Sequence, residues 1–254
     1  MFGQRTVSEA SFFVFQEWER IHGFVHAFSG RDAEPVSQMA ESYSPLTNHK
    51  QPLLKALNLR AEQLVGLRQV HSDRVLIVDQ IQAPRHPFPV CGPADGVILT
   101  HPGRFGIVRT ADCVPIVAVA PEQRAVCLLH AGWRGTLKRI CKKGLQKFQD
   151  VTGCSGQDLE VALGPCIRKC CYRVGPEVEN HFRRGGHPVH RLFREDRLDL
   201  VTANRVQLEE MNVRKVLDSN HCTACRIDLF YSYRRENTNQ RMWALAGFRD
   251  EMGC

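Results

Sequence analysis

Apolar and polar positions change their rhythm along this chain. In the middle, short β-branched runs follow one another: "RVLIVD" from Arg74, "GVILT" from Gly96 and "FGIVRT" from Phe105. Each predicts a strand. "VPIVAVA" (114–120) and "AVCLLHA" (125–131) are apolar at nearly every position, with the turn-like "PEQR" between them. Runs apolar on both faces imply a sheet covered on both sides. The period then shifts. In "GTLKRICKKGLQKFQDV", Leu137, Ile140, Cys141, Leu145 and Phe148 share one face, with the bases outside, which predicts a helix. "LEVALG" from Leu159 reads as another buried strand. "GPEVENHF" and "DLVTANRVQLEEM" read as helices, the second capped by Asp199. "RKVLD" and "MWALAGF" close the chain as strands. Strands and helices mix without strict βαβ alternation. The expected fold is one α/β (α+β) domain over residues 1–254, with mixed β-sheets packed against helices.

Two stretches break these patterns. Residues 30–49 are polar and Ser-rich, and "QAPRHPFPVCGPADG" (82–96) holds four prolines and two glycines. The second is excluded as a helix or a central strand, because proline lacks the N–H that both require. Strand-like runs resume directly after it, so it reads as a loop that shapes a site rather than as a linker. No internal repeat or low-complexity segment appears.

Composition narrows the function class. The 254 residues carry a net charge of +7, from 34 Lys+Arg against 27 Asp+Glu. The excess is spread out, the densest clusters being "LKRICKK" and "YSYRREN", and no nucleic-acid-binding module accompanies it. Solvated helix faces and a pocket for a small anion account for these bases better than a polyanion does. No apolar run is long enough to span a membrane. The first 23 residues lack the unbroken apolar core and small-residue cleavage site of a secretory signal. A cytoplasmic location is therefore expected, with the 11 cysteines mostly reduced and buried.

Candidate chemistry lies at three strand ends. "QVHSD" puts His71 just before one strand, "RTADC" puts Cys113 at the mouth of a second, and "LLHAG" puts His130 at the end of a third. Singly, each is an ordinary structural residue. Jointly, two imidazoles and a thiolate form a borderline-soft set suited to zinc, and three ligands leave a fourth position open, as in catalytic zinc sites. The spacings of 42 and 17 residues fit no zinc-finger template. Asp112 beside Cys113 can cap, support a ligand or transfer a proton. In "HAGWRGT", Gly132 and Gly135 permit close approach of a ligand, and Arg134 can grip phosphate or carboxylate in bidentate fashion. Trp133 can stack on a flat base.

Six ordered motifs, "QVH", "ADG", "RTADCVP", "HAGWRG", "LGPCI" followed by "CYRVG", and "SYRRE", resemble the family of laccase-domain or multicopper polyphenol oxidase proteins (YfiH-type) now described as purine nucleoside phosphorylases. The resemblance runs from about Phe24 to Phe248. It implies a mixed α/β sandwich whose zinc ligands match His71, Cys113 and His130. It also implies phosphorolysis of adenosine, inosine, guanosine and S-methyl-5'-thioadenosine, with deamination of adenosine. The partners implied are a purine nucleoside and phosphate, without nucleic acid or membrane, on a monomer or homodimer. Arg134, Arg234 and Arg241 are the expected substrate-binding residues, with Arg235 a further candidate and Arg109 a brace. "SYRRENTNQR" lacks the glycine that often follows the paired arginines in relatives, which concerns the loop near Arg234 and not the metal site.

The oxidase name itself finds no residues to carry it. Multicopper oxidases use repeated His-x-His pairs, and none of the 11 histidines here lies two residues from another. Copper is expected only as an adventitious substitute at the His/Cys site. The His-x-Glu deaminase signature is absent too. A rival reading makes Cys113 the nucleophile of a cysteine hydrolase or deamidase, with His130 or His71 as its base. A third is a non-enzymatic purine- or metal-binding protein. Cys222 and Cys225 form a C-x-x-C, and Cys166, Cys170 and Cys171 cluster earlier. Reduced packing thiols are the simpler reading of these, and a second, structural zinc the other.

Overall fold

The computed structural model describes residues 1–8, 10–31, 51–78 and 90–250. The expected loop at 30–49 and residues 82–89 of the proline-rich loop lie outside these, apart from Gly30 and Arg31. In chain order the strands are β1 (Phe2–Val7), β2 (Ala10–Phe15), β3 (Phe24–Ser29), β4 (Leu64–Arg68), β5 (Val75–Ile77), β6 (Val90–Pro93), β7 (Gly96–Leu99), β8 (Phe105–Thr110), β9 (Val114–Ala120), β10 (Ala125–Ala131), β11 (Glu160–Leu163), β12 (Phe193–Arg194), β13 (Arg197–Leu198), β14 (Lys215–Asp218) and β15 (Met242–Phe248). The helices are α1 (Gln51–Ala56), α2 (Trp133–Leu137), α3 (Ile140–Thr152), α4 (Pro176–Arg184), α5 (Val189–Leu192), α6 (Leu200–Glu210) and α7 (Tyr233–Glu236).

Two sheets carry the fold. One is ordered β1-β2-β3-β15-β8-β4-β6 and the other β14-β11-β9-β10-β7-β5, while β12 and β13 form a small hairpin. The expectation of sheets packed against helices holds, and a sheet-on-sheet layer lies between. Val97, Val117, Val119, Val126 and Leu128 of the second sheet meet Val108, Met242, Ala244 and Phe248 of the first. The other face of the second sheet, with Ile116, Cys127 and Leu129, is covered by Leu145 and Phe148 of α3 and Leu208 of α6. On the far side, Leu53 and Leu54 of α1 cover Ile107, Trp243 and Leu245 of the first sheet. β9 and β10 are therefore buried on both faces, which is why their sequence is apolar without alternation. They pair antiparallel, so the run of apolar residues marks burial and not strand direction.

Two expectations need adjustment, and one segment carried none. The N-terminal aromatic segment, to which the pattern of apolar positions assigns no element, forms strands β1, β2 and β3. The helix expected from Gly135 is two, α2 and α3, separated at Lys138 and Arg139. Arg139 lies in the left-handed region (φ 64), where its guanidinium reaches the Glu210 carboxylate and the Gly186 carbonyl. The tail of the proline-rich loop, Val90–Pro93, pairs with β4 as an edge strand, the position in a sheet that tolerates proline. Asp199 caps α6 as expected, its Oδ1 accepting from Thr202 N at 3.0 Å. Among the described residues, no helix is long and apolar enough to cross a membrane.

Candidate metal centre and its cleft

Strand direction in the second sheet assembles the site. β9 and β10 form an antiparallel hairpin in which His130 faces Pro115 and Ala131 faces Val114. The end of β10 thus returns beside the start of β9, and His130 lies next to Cys113. β7 runs antiparallel to β10, and β5 runs parallel to β7. Their starting ends share that edge of the sheet, bringing Asp95 and the loop holding His71. The ligand atoms of His71, Cys113 and His130 all lie within 4.8 Å of one another. The two imidazoles meet edge to face, with centroids 4.9 Å apart.

Asp95 organises this centre. It is fully buried, and its carboxylate accepts from the backbone N–H groups of His71 (3.0 Å) and Ser72 (2.6 Å) and from the Ser72 hydroxyl (2.7 Å). Its Oδ1 also lies 2.9 Å from His130 Nδ1. That bond leaves Nε2 of His130 for a ligand, as in the carboxylate–histidine arrangement common at metals. The bonds to residues 71 and 72 hold His71 at φ 57. Gln69 braces the same loop, exchanging two 2.8 Å hydrogen bonds with the backbone of Arg109 on β8. Gln69 and Asp95 stand in the motifs "QVH" and "ADG", where sequence alone assigns neither a task. The signal was present: a polar residue in each motif, beside an apolar strand.

The charges are consistent with a ligand set. Burial pushes the Cys113 thiol up, but the His130 and His71 imidazoles beside it outweigh burial and bring it below its ordinary value. Burial pulls His130 down, but the Cys113 thiolate and Asp95 raise it above its ordinary value. Burial pushes Asp95 up, and its bonds from His130 and Ser72 bring it down to about 2. A thiolate wedged between two imidazoles, one of them aimed by a carboxylate, suits a divalent borderline-soft ion such as zinc. Space is reserved for it. A Cβ on Gly132 would stand 2.7 Å from Cys113 Sγ and 3.3 Å from His71 Cδ2.

Gly132 leads into α2, whose first residue, Trp133, lines a cleft of about 360 Å³ with Tyr172, Arg173, Gly175, Glu177 and Arg234. The Arg234 guanidinium lies over the Tyr172 ring at 5.1 Å and donates to the Arg173 carbonyl. Its backbone N–H is held by Asp112, which also accepts a 2.6 Å bond from the Thr223 hydroxyl. Beside the roles left open for it, Asp112 thus clamps its own turn to α7 and to the turn that holds Thr223. Arg134 covers the Trp133 ring at 4.4 Å without lining the cleft. Arg235 is turned inward onto the Thr223, Ala224 and Phe230 carbonyls. Arg241 donates to the Thr238 and Gln240 carbonyls and does not line the cleft. Cys166 is fully buried in the core and does not line it either. Tyr172 and Glu177 were not singled out from sequence.

Known proteins share this arrangement of chain. The model of a family described as multi-copper polyphenol oxidoreductase laccase matches residues 37–249. A Deinococcus radiodurans protein named purine nucleoside phosphorylase is 32% identical over 234 residues, covering 89% of this chain and 88% of its own length. A protein of an unknown prokaryotic organism, named adenosine deaminase RL5, is 31% identical over 199 residues, covering 74% of this chain and 75% of its own. The crystal structure of YlmD from Geobacillus stearothermophilus has a TM-score of 0.81 and 28% identity, over 97% of this chain and 99% of that one. With the match running through nearly every element that builds the metal centre, the chain belongs to the laccase-like multi-copper polyphenol oxidoreductase family.

Proposed function

We propose that this chain is a zinc-dependent purine nucleoside phosphorylase that acts on adenosine, inosine, guanosine and S-methyl-5'-thioadenosine and also deaminates adenosine, in a cytoplasmic setting that keeps Cys113 reduced. The observation that carries the reading is the convergence of His71, Cys113 and His130, joined through Gly132 beside Cys113 to a cleft walled by Trp133, Tyr172 and Arg234. The names of the D. radiodurans and RL5 relatives support both activities. The donor set fits zinc: one thiolate, one imidazole oriented by Asp95 and a second imidazole, with a fourth position open.

In phosphorolysis a phosphate oxygen forms a bond to ribose C1′, the C1′–N9 bond breaks, and the purine leaves with the bonding pair and takes up a proton. His71, Cys113 and His130 would hold the zinc, which would supply Lewis acidity to a substrate oxygen. The aromatic faces of Trp133 and Tyr172 receive the flat base and exclude water from it. Arg234 presents a guanidinium to the phosphate, held in place by the Asp112 bond to its backbone. Glu177 is the carboxylate on the cleft wall and can accept or deliver a proton. In deamination a water oxygen forms a bond to the purine C6 and the C6–N bond breaks to release ammonia, with Glu177 placed on the cleft wall to move the proton from the water to the leaving amine.

One observation favours a second reading. Cys113, His130 and Asp95 also stand in the order nucleophile, base and orienting carboxylate, which would suit a cysteine hydrolase. That reading leaves His71 without a task, although its ring meets both other groups. Incubating the purified protein with adenosine, with and without phosphate, separates the two. Adenine and ribose 1-phosphate formed only with phosphate support the phosphorylase. No purine product, together with rapid alkylation of Cys113, supports the hydrolase.

A further inference from the structure

A second cluster of sulfur atoms lies at the same end of the second sheet. β11 and β14 run parallel, and an isolated bridge between Cys166 and Cys222 extends their pairing beyond the strands. The loops leaving the two strands therefore run side by side. One carries Cys170 and Cys171, the other Cys222 and Cys225. All four sulfurs lie within 4.8 Å of one another. Cys171 Sγ is 3.4 Å and Cys170 Sγ 3.6 Å from Cys225 Sγ. A disulfide needs about 2.05 Å. Four sulfurs around one zinc at about 2.3 Å stand roughly 3.8 Å apart.

Packing does not account for the cluster. Thiols that serve as core residues here, Cys127 and Cys141, are fully buried. Cys170 and Cys225 are exposed, and only Cys222 of the four is buried. Cations surround the loops. Arg235 holds the Thr223 and Ala224 carbonyls, and Arg197 holds the Cys170 carbonyl. Four thiolates around a dication carry a net double negative charge, and Arg197 stands beside them at the Cys170 carbonyl while Arg235 is paired with Glu236.

We propose that Cys170, Cys171, Cys222 and Cys225 hold a zinc ion in a closed tetrathiolate site, a second metal site separate from His71, Cys113 and His130. With all four positions taken by cysteine there is no place for substrate, so the role is structural. The ion pins the loop after β11 to the loop after β14. Tyr172 adjoins Cys171, and Thr223, between Cys222 and Cys225, holds Asp112 and through it Arg234. The second site thus fixes one wall of the cleft. The four cysteines meet in this way whether or not the chain is a phosphorylase.

The test is metal content rather than turnover. The whole chain, purified under reducing conditions with zinc, should hold about two zinc ions, and Cys113→Ser should retain about one. Replacing Cys222 and Cys225 together by Ser should also leave about one. Because the double substitution tests folding as well as binding, the deciding sample is Cys113→Ser loaded with cobalt(II). It should show strong thiolate-to-cobalt charge transfer and the visible bands of a tetrahedral tetrathiolate. A Cys113→Ser protein that binds neither zinc nor cobalt would overturn the proposal. So would an intact mass lower by two hydrogen atoms, the mark of a disulfide within the four.

Discussion

Asp95 Oδ1 and His130 Nδ1 stand 2.9 Å apart at the floor of the centre, and the same carboxylate holds the backbone of His71 and Ser72. One buried side chain thus aims one ligand and positions the loop of another. Asp95→Asn keeps the shape and loses the charge and part of the acceptor capacity. The variant should bind zinc at the His71 centre about 10- to 100-fold more weakly. Competition against a chromophoric chelator measures this, and unchanged affinity would show that His71 and His130 hold their places without Asp95.

Gly132 leaves room beside two ligands. Its backbone is extended (φ −77, ψ 174), so alanine meets no conformational barrier there. The barrier is contact, since the added Cβ would stand 2.7 Å from Cys113 Sγ. Displacing a packed ligand at a cost of ~1–3 kcal/mol corresponds to about 5- to 150-fold in affinity. Gly132→Ala should therefore lose zinc and turnover together. Zinc content and kcat/KM on one preparation check it.

The arginines expected to bind substrate are not equivalent in the fold. Arg234 lines the cleft, whereas Arg241 is held by the Thr238 and Gln240 carbonyls outside it. Arg234→Ala should raise KM for phosphate by about 10-fold or more, the loss expected for a charge-assisted bond. Arg241→Ala should change it by less than about 3-fold. Phosphate titration at saturating nucleoside distinguishes them, and the reverse order would move the anion site away from Tyr172.

At the opposite end of β11, Glu160 accepts from Trp18 Nε1, Arg20 and Lys215. Burial pushes its carboxyl up, but Arg20 and Lys215 outweigh burial and hold it below its ordinary value. A carboxylate lowered on folding stabilises the fold above its unfolded value of about 4.3, and that contribution is lost as the pH falls through the folded value. Between pH 6 and pH 3 the wild type should lose more stability than Glu160→Gln does. Thermal unfolding across that range reads the difference, and parallel curves would contradict it.

The sheet that carries the site was legible where burial dictates composition. β9 and β10 are covered on both faces, so no polar position interrupts their pattern. β1 is mostly exposed, and its aromatic neighbours show no clean alternation, so the N-terminal strands were not legible. Leu137 through Phe148 keep one helical face across the break at Arg139, because periodicity records which side is buried and not whether the backbone is continuous. The residue types at His71, Cys113 and His130 suggested a metal, but the 42- and 17-residue gaps close only through the pairing of β5, β7, β10 and β9. Asp95 sat in a stretch that read as loop, and its partners come from distant segments. The four clustered cysteines likewise meet only because β11 and β14 are parallel.

The most direct test of the central claim uses Cys113→Ser beside the wild type. Both are assayed for adenine and ribose 1-phosphate from adenosine and phosphate, with zinc counted on the same samples. Cys113 as a ligand of the catalytic zinc predicts that the variant lacks about one zinc per chain relative to wild type and makes no phosphate-dependent adenine. A variant that keeps full phosphorolysis, or that loses activity with its zinc count unchanged, would contradict it.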